Sequence, residues 1–229
     1  LLLKTKHTKL IILIDPDKYN PDLVDIANNC NVAYIFVGGS GLKKNNFEKT
    51  IKAIKHKTKI PVIIFPGDET QISKQADSLL ILSLLSGRNA DYLIGKHVIA
   101  ASKIKASKLK VIPTGYILVD GGKISTTQKI TKTKSLSNKK EIVDTAIAGE
   151  LLGKQLIYLE AGSGAKKNLT TSLIKDVKKN ISIPLIIGGG IDSLTKAKAV
   201  LSANPDYLVV GNALEKNPNL LLELNSLFV

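Results

Sequence analysis

The sequence predicts a single (β/α)8 TIM barrel of the α/β class. Three observations carry this: eight short apolar runs, amphipathic stretches between them, and glycines or acids where the runs end. The runs are 9–15, 33–38, 61–65, 78–84, 110–119, 155–160, 184–188 and 207–210. Ile, Val and Leu dominate them without polar alternation, as in strands buried on both faces of a parallel sheet. Eight strands favour closure into a barrel over an open sheet. The 229 residues suit one domain, expected over 1–229.

The helical stretches are 21–29, 47–57, 91–107, 139–153, 171–180, 193–203 and 219–227. In 193–203, Leu194, Ala197, Val200 and Leu201 recur at helical spacing, and Ser193 or Asp192 can cap the first turn. Two segments break the alternation. Residues 66–77 are short and contain Pro-Gly-Asp, so the barrel is expected to be modified, with its third helix reduced or absent. Residues 123–140 hold six lysines, many Ser and Thr and no acid, which reads as a mobile loop or an active-site lid.

The formal net charge is +14, which suits nucleic acid, anionic headgroups or phosphorylated substrates. Arg88 is the one arginine and aromatics are 4%, so the reading is no nucleic acid: bidentate base contacts and stacking platforms are both scarce. A solvated surface accounts for most of the lysines. Cys30 is the one cysteine, which excludes an intrachain disulfide and Cys-based metal sites; it reads as a buried small residue. His7, His56 and His97 are never spaced as ligand pairs, which argues against zinc. No window is apolar enough to span a bilayer, and residues 1–9 lack the h-region of a secretory signal. A cytoplasmic protein with at most peripheral membrane contact is expected.

In this fold the active site lies at the C-terminal ends of the strands. There the sequence places Asp15-Pro16-Asp17-Lys18, Gly38-Gly39-Ser40-Gly41, Glu160-Ala161-Gly162-Ser163-Gly164, Gly188-Gly189-Gly190-Ile191-Asp192 and Gly211-Asn212. The last three clusters fit a phosphate site, because glycines let backbone N–H groups approach an anion and helix N-termini favour it. Without a ligand they would be tight turns. Asp15 and Asp17 either bind Mg2+ beside the phosphate or turn the chain. Glu160 could orient or deprotonate a substrate hydroxyl, or pair with a lysine.

Taken together, Ile14-Asp15-Pro16-Asp17-Lys18, Val37-Gly38-Gly39-Ser40, Tyr158-Leu159-Glu160-Ala161-Gly162-Ser163-Gly164, Gly188-Gly189-Gly190-Ile191 and Val210-Gly211-Asn212 resemble the geranylgeranylglyceryl phosphate synthase family. Ile94-Gly95-Lys96-His97 and Ile112-Pro113-Thr114-Gly115-Tyr116 resemble its middle section. The resemblance implies a prenyltransferase on a TIM barrel whose third helix is an extended segment. It implies transfer from a polyprenyl diphosphate, geranylgeranyl in the larger branch, to the C3 hydroxyl of sn-glycerol 1-phosphate. It further implies Mg2+ held by Asp15 and Ser40, and glycerol phosphate held by Tyr158, Leu159, Glu160, Ala161, Gly162, Ser163, Gly164, Gly189, Gly190, Gly211 and Asn212. Glu160, with Tyr158 beside it, would act on the nucleophilic hydroxyl, and a homo-oligomer, dimer or hexamer, would form. The smaller branch carries a lysine two residues before the first aspartate; here Leu13 stands there, so that contact is not carried over. The Tyr-Leu-Glu-Ala-Gly-Ser-Gly form is similar to the larger, archaeal-type branch. Other readings of the glycine rim are a sugar-phosphate isomerase, a flavin-dependent oxidoreductase, or a non-catalytic binder of anionic lipid or nucleic acid using the lysines of 123–140.

Overall fold

The computed structural model describes residues 2–42 and 46–228. All eight strands form, as β1 (Lys9–Ile14), β2 (Val32–Val37), β3 (Val62–Ile64), β4 (Ser78–Leu84), β5 (Lys110–Leu118), β6 (Leu156–Glu160), β7 (Leu185–Gly188) and β8 (Tyr207–Val210). They run parallel in sequence order, and β1 pairs with β8 to close the barrel. Strand periodicity divides the apolar residues into two cores. Ile11, Phe36, Ile63, Leu80, Tyr158, Ile186 and Val209 fill the interior with their neighbours. Leu10, Ile12, Ile35, Val37, Ile157 and Leu159 form the layer under the helices.

The helices are α1 (Pro21–Asn28), α2 (Phe47–Lys57), α3 (Lys96–Ser107), α4 (Thr126–Thr131), α5 (Lys139–Leu151), α6 (Thr171–Asn180), α7 (Leu194–Leu201), α8 (Asn212–Lys216) and α9 (Leu220–Asn225). Asn20, Asn138, Thr170 and Ser193 cap α1, α5, α6 and α7 through their side chains, so Ser193 rather than Asp192 starts α7. A π-helical turn, Asp91–Gly95, precedes α3. Cys30 is only partly buried, against the outer core, because it lies just past the end of α1.

Segment 66–77 contains no helix. Gln71, almost wholly buried, stands in for one. Its amide donates to Gly39 O (2.9 Å), and its Oε1 accepts from Gly67 N (3.1 Å). Gly67 must be glycine: a Cβ there would sit 2.1 Å from Gly39 O. The backbone after β3 is thus pressed onto the backbone after β2, leaving no room for a helix.

Segment 123–140 is tied down. Ser125 and Gln128 form a reciprocal capping box that starts α4. Leu136 bridges Val119, exchanging backbone hydrogen bonds with Leu118 and Asp120. The segment forms a wall over the barrel mouth.

At the opposite end, Asp206 is fully buried; its Oδ1 accepts from Thr5 N and its Oδ2 from Leu185 N, both at 2.9 Å. It holds the N-terminal segment, whose Leu2 packs into the interior core, against the start of β7. Asp206→Ala orphans both donors and should cost about 2–4 kcal/mol. Urea unfolding will measure this, with a smaller loss for Asp206→Asn, which keeps one acceptor.

Candidate active site

The mouth of the barrel holds a cavity of about 370 Å³. Its wall includes Asp15 after β1, Ser40 after β2, Tyr158 and Glu160 on β6, Ser163 and Gly164 after β6, Gly189 and Gly190 after β7, and Gly211 and Asn212 after β8. Ten of the thirteen residues expected from the sequence therefore share one site. The other three do not line it. Leu159 alternates to the outer face of β6 and packs under the helices, so its side chain cannot reach a ligand in the mouth. Ala161 is buried in the same layer and gives its N–H to Gly188 O. Gly162 spends its N–H on Glu160 Oε1, at 2.8 Å. These last two support Glu160 rather than line the cavity.

Glu160 is the electrostatic centre. Burial, the largest cause, pushes its carboxyl up to about 7, against the opposing effects of the Gly162 N–H and the Tyr158 hydroxyl. No lysine pairs with it, so the salt-bridge reading of Glu160 fails among the described residues. Tyr158 is fully buried, and burial followed by the Glu160 charge raises its hydroxyl well above the ordinary range, so it stays protonated. That hydroxyl makes no well-formed hydrogen bond. With the Glu160 carboxylate as its one near partner among the described residues, it is free to turn toward a ligand oxygen in the cavity. Gly188 and Gly189 make the arrangement possible. A Cβ on Gly188 would lie 2.2 Å from the Tyr158 hydroxyl; one on Gly189, where φ is +85°, would lie 2.2 Å from Glu160 Oε1.

Asn212 Nδ2 donates to Ser163 Oγ at 2.6 Å, joining the loops after β6 and β8. Asp15 turns the chain, one of the two readings drawn from its motif. Its Oδ1 accepts from Asp17 N at 2.9 Å and starts the 3-10 turn Pro16–Lys18. Among the described residues its Oδ2 has only Lys18 Nζ, 3.8 Å away, and that lysine is bonded more closely to Glu215, at 2.8 Å. Asp17 does not line the cavity. Leu13 does, where the smaller branch would carry its lysine, so the cations of this site come from elsewhere: Lys18 and Lys216 are on its wall. Glycine-rich spacing gave no signal for either.

A second cavity, about 130 Å³, adjoins the first. Its wall is largely apolar, including Ile72, Leu79, Leu80, Leu82, Ala100 and Ile104. It runs between segment 66–77, β4 and α3, the space that a third helix would otherwise fill. Phe65 and Tyr116 line both cavities, as do Ser40 and Thr127. Phe65, Tyr116 and Tyr158 form an aromatic cluster at this junction, with centroids 5.4–6.0 Å apart. Sequence reasoning did not find this groove. The signal was the missing helix itself, which uncovers an apolar flank of the barrel.

Residues 3–225 match the PcrB family. The chain belongs to the PcrB family. Among its PcrB-like relatives, the geranylgeranylglyceryl phosphate synthase of Flavobacterium johnsoniae is 46% identical, over 93% of this chain and 90% of that one. The enzyme of the same name from Chitinophaga pinensis is 45% identical, over 93% and 87%. The crystal structure of (S)-3-O-geranylgeranylglyceryl phosphate synthase from Thermoplasma acidophilum, in complex with its substrate sn-glycerol-1-phosphate, superposes with a TM-score of 0.89. It is 32% identical, covering 96% of this chain and 91% of that chain. The barrel seen here is therefore shared with a solved geranylgeranylglyceryl phosphate synthase across nearly its whole length.

Proposed function

We propose that this chain transfers a polyprenyl group, geranylgeranyl in particular, from its diphosphate to the C3 hydroxyl of sn-glycerol 1-phosphate. An ether bond forms, the bond from the prenyl carbon to the diphosphate oxygen breaks, and diphosphate leaves. One observation carries this reading: a polar cavity built around a buried carboxylate opens directly onto an apolar groove. That pairing suits a small phosphorylated nucleophile meeting a lipid donor. The names of the relatives support the same reaction.

Ser163, Gly164, Gly189, Gly190, Gly211 and Asn212 would hold the phosphate of the acceptor, through backbone N–H groups and short polar side chains. This anchors the nucleophile, so attack on the donor becomes effectively intramolecular. Tyr158 would donate to an acceptor oxygen, giving its hydroxyl the well-formed hydrogen bond it lacks among the described residues. Glu160 would take the proton from the attacking hydroxyl. Its carboxyl near 7 is matched to that task, being half ionised at neutral pH and a far stronger base than an exposed glutamate.

The donor diphosphate would sit across the mouth, at Asp15 and Ser40. These are hard oxygen donors on one wall, and no cluster of three or more ligating side chains exists among the described residues. A cation held by few protein oxygens and completed by diphosphate oxygens fits Mg2+. When bound, Mg2+ would neutralise charge developing on the leaving diphosphate. The prenyl tail would lie in the groove toward Ala100, the one buried residue of α3. A homo-oligomer, dimer or hexamer, belongs to the same reading; Leu151 and Leu152, prominent and exposed at the end of α5, would suit such an interface.

The test is prenyl transfer to glycerol 1-phosphate against glycerol 3-phosphate, over donors of increasing length. The 1-phosphate with a C20 donor should give the ether. Ala100→Phe, which fills the groove, should lower kcat/KM for the C20 donor at least about tenfold while a C10 donor is spared. Equal use of both acceptors, or an unchanged length profile in Ala100→Phe, would count against the assigned sites.

A further inference from the structure

We infer that the outer face of the Asp91–Gly95 turn and α3 docks onto an anionic phospholipid surface, presenting the donor groove to the membrane. The inference rests on the proposed lipid donor for its purpose but not for its physics.

The first observation is apolar exposure. Ile94, Val98 and Ile99 are 59%, 67% and 65% exposed, and Val111 at the start of β5 is exposed beside them. Ala100 alone among the residues of α3 is buried. A helix on a barrel ordinarily turns its apolar stripe inward; this one leaves large aliphatic side chains in solvent. Ile94, Val98, Ala101, Leu109 and Val111 line a shallow groove of about 530 Å³ on that face.

The second is charge. From Tyr92 to Val119 the sequence has no acidic residue but carries Lys96, Lys103, Lys105, Lys108 and Lys110. Lys96 is paired with Glu69 at 2.7 Å. The other four are exposed and form no ion pair among the described residues. An aliphatic patch bordered by unpaired lysines is the composition of an interfacial helix on an anionic bilayer.

The third is continuity. Ile81, His97 and Ile104 line both this shallow groove and the inner apolar cavity. The inner cavity, about 130 Å³, is smaller than ordinary ligand pockets of roughly 300–1,000 Å³. A long tail that overruns it would reach this face by displacing these three side chains, where a bilayer would supply the remaining apolar surroundings.

A second copy of the chain fits the face less well. A two-fold contact sets the same surface against itself, and would bring the four unpaired lysines of each copy together with Asp91, at the start of the turn, the one carboxylate on the element to offset them. An anionic membrane turns the same charges into attraction.

Flotation of the full chain with vesicles tests this. Phosphatidylcholine vesicles containing phosphatidylglycerol should carry the protein up, and pure phosphatidylcholine vesicles should not. Added salt should weaken the binding. Lys105→Gln and Lys108→Gln should each weaken it about 5-fold, and the combined Ile94→Ser, Val98→Ser, Ile99→Ser variant on the order of tenfold or more. Those three residues lie outside the inner cavity, so the variant should keep wild-type turnover of a detergent-dispersed C10 donor, whose tail is too short to reach this face. Equal binding to both vesicle types, or an undiminished triple-serine variant, would overturn the inference. So would a concentration-dependent dimer in sedimentation velocity that the triple-serine variant dissociates, since that assigns the face to a second copy. Vesicle binding by a wild-type protein that transfers no prenyl group supports this surface and counts against the proposed reaction.

Discussion

Glu160→Gln should reduce kcat by about 10²–10⁴-fold, the range for losing a positioned general base, while the protein becomes more stable at alkaline pH. The two effects have one cause. Burial raises the carboxyl from 4.5 to about 7, so the folded state holds a proton that the unfolded chain has already released between those values. Stability from this group is therefore full below about 4.5 and falls as pH rises toward 7. The loss amounts to about 3 kcal/mol above that point, taking roughly 1.4 kcal/mol per pKa unit. Glutamine carries no charge and keeps an Oε1 to accept the Gly162 N–H. Its thermal midpoint should match the wild type in acid and exceed it at pH 8. The wild-type kcat/KM should rise through about pH 7 as the base ionises, a limb the variant should lack. Calorimetry and a pH–rate profile check both. A variant that lost activity without gaining stability at pH 8 would leave Glu160 without the buried charge that its proposed role requires.

Asp15→Asn is expected to have the other large effect, a fall in kcat/KM of at least about 10²-fold, since a Lewis-acid contact is worth several kcal/mol. Asparagine retains Oδ1 for the Asp17 N–H, so the turn Pro16–Lys18 and the fold should survive. The circular dichroism spectrum should be unchanged. Chelation of divalent metal should abolish wild-type turnover, and restored Mg2+ should recover the wild type far better than the variant. Full activity in Asp15→Asn would remove the metal role from this residue and return its motif to a turn alone.

The two sites differ in what holds them. Glu160 is set by a strand end, two glycines without side chains and a backbone N–H. Asp15 and Ser40 are on loops, Asp15 one-quarter exposed and Ser40 in solvent, so the wall proposed for the diphosphate is the more exposed half of the mouth.

The sequence by itself determined the barrel. Continuous Ile, Val and Leu runs are legible because strands buried on both faces tolerate little else, and all eight run positions hold. The strand-end clusters were legible for a related reason: glycine and aspartate at the C-terminal rim are where backbone must approach an anion or a carboxylate must face the mouth. Asp15, Ser40, Tyr158, Glu160 and the glycines after β7 and β8 accordingly share one cavity. Three matters needed the tertiary structure. Leu159, Ala161 and Gly162 drop out of the lining because strand alternation and hydrogen bonds to Gly188 and Glu160 turn them elsewhere, which a run of adjacent letters conceals. Segment 123–140 reads as a polar loop, yet its Ser125–Gln128 capping box and the Leu136 bridge fasten it over the mouth. The groove is made by what is missing between β3 and β4, and its walls come from 66–77, β4 and α3. Periodicity reports which face of an element avoids water; it carries no record of which distant element stands opposite, and the groove and the buried charge of Glu160 both depend on that.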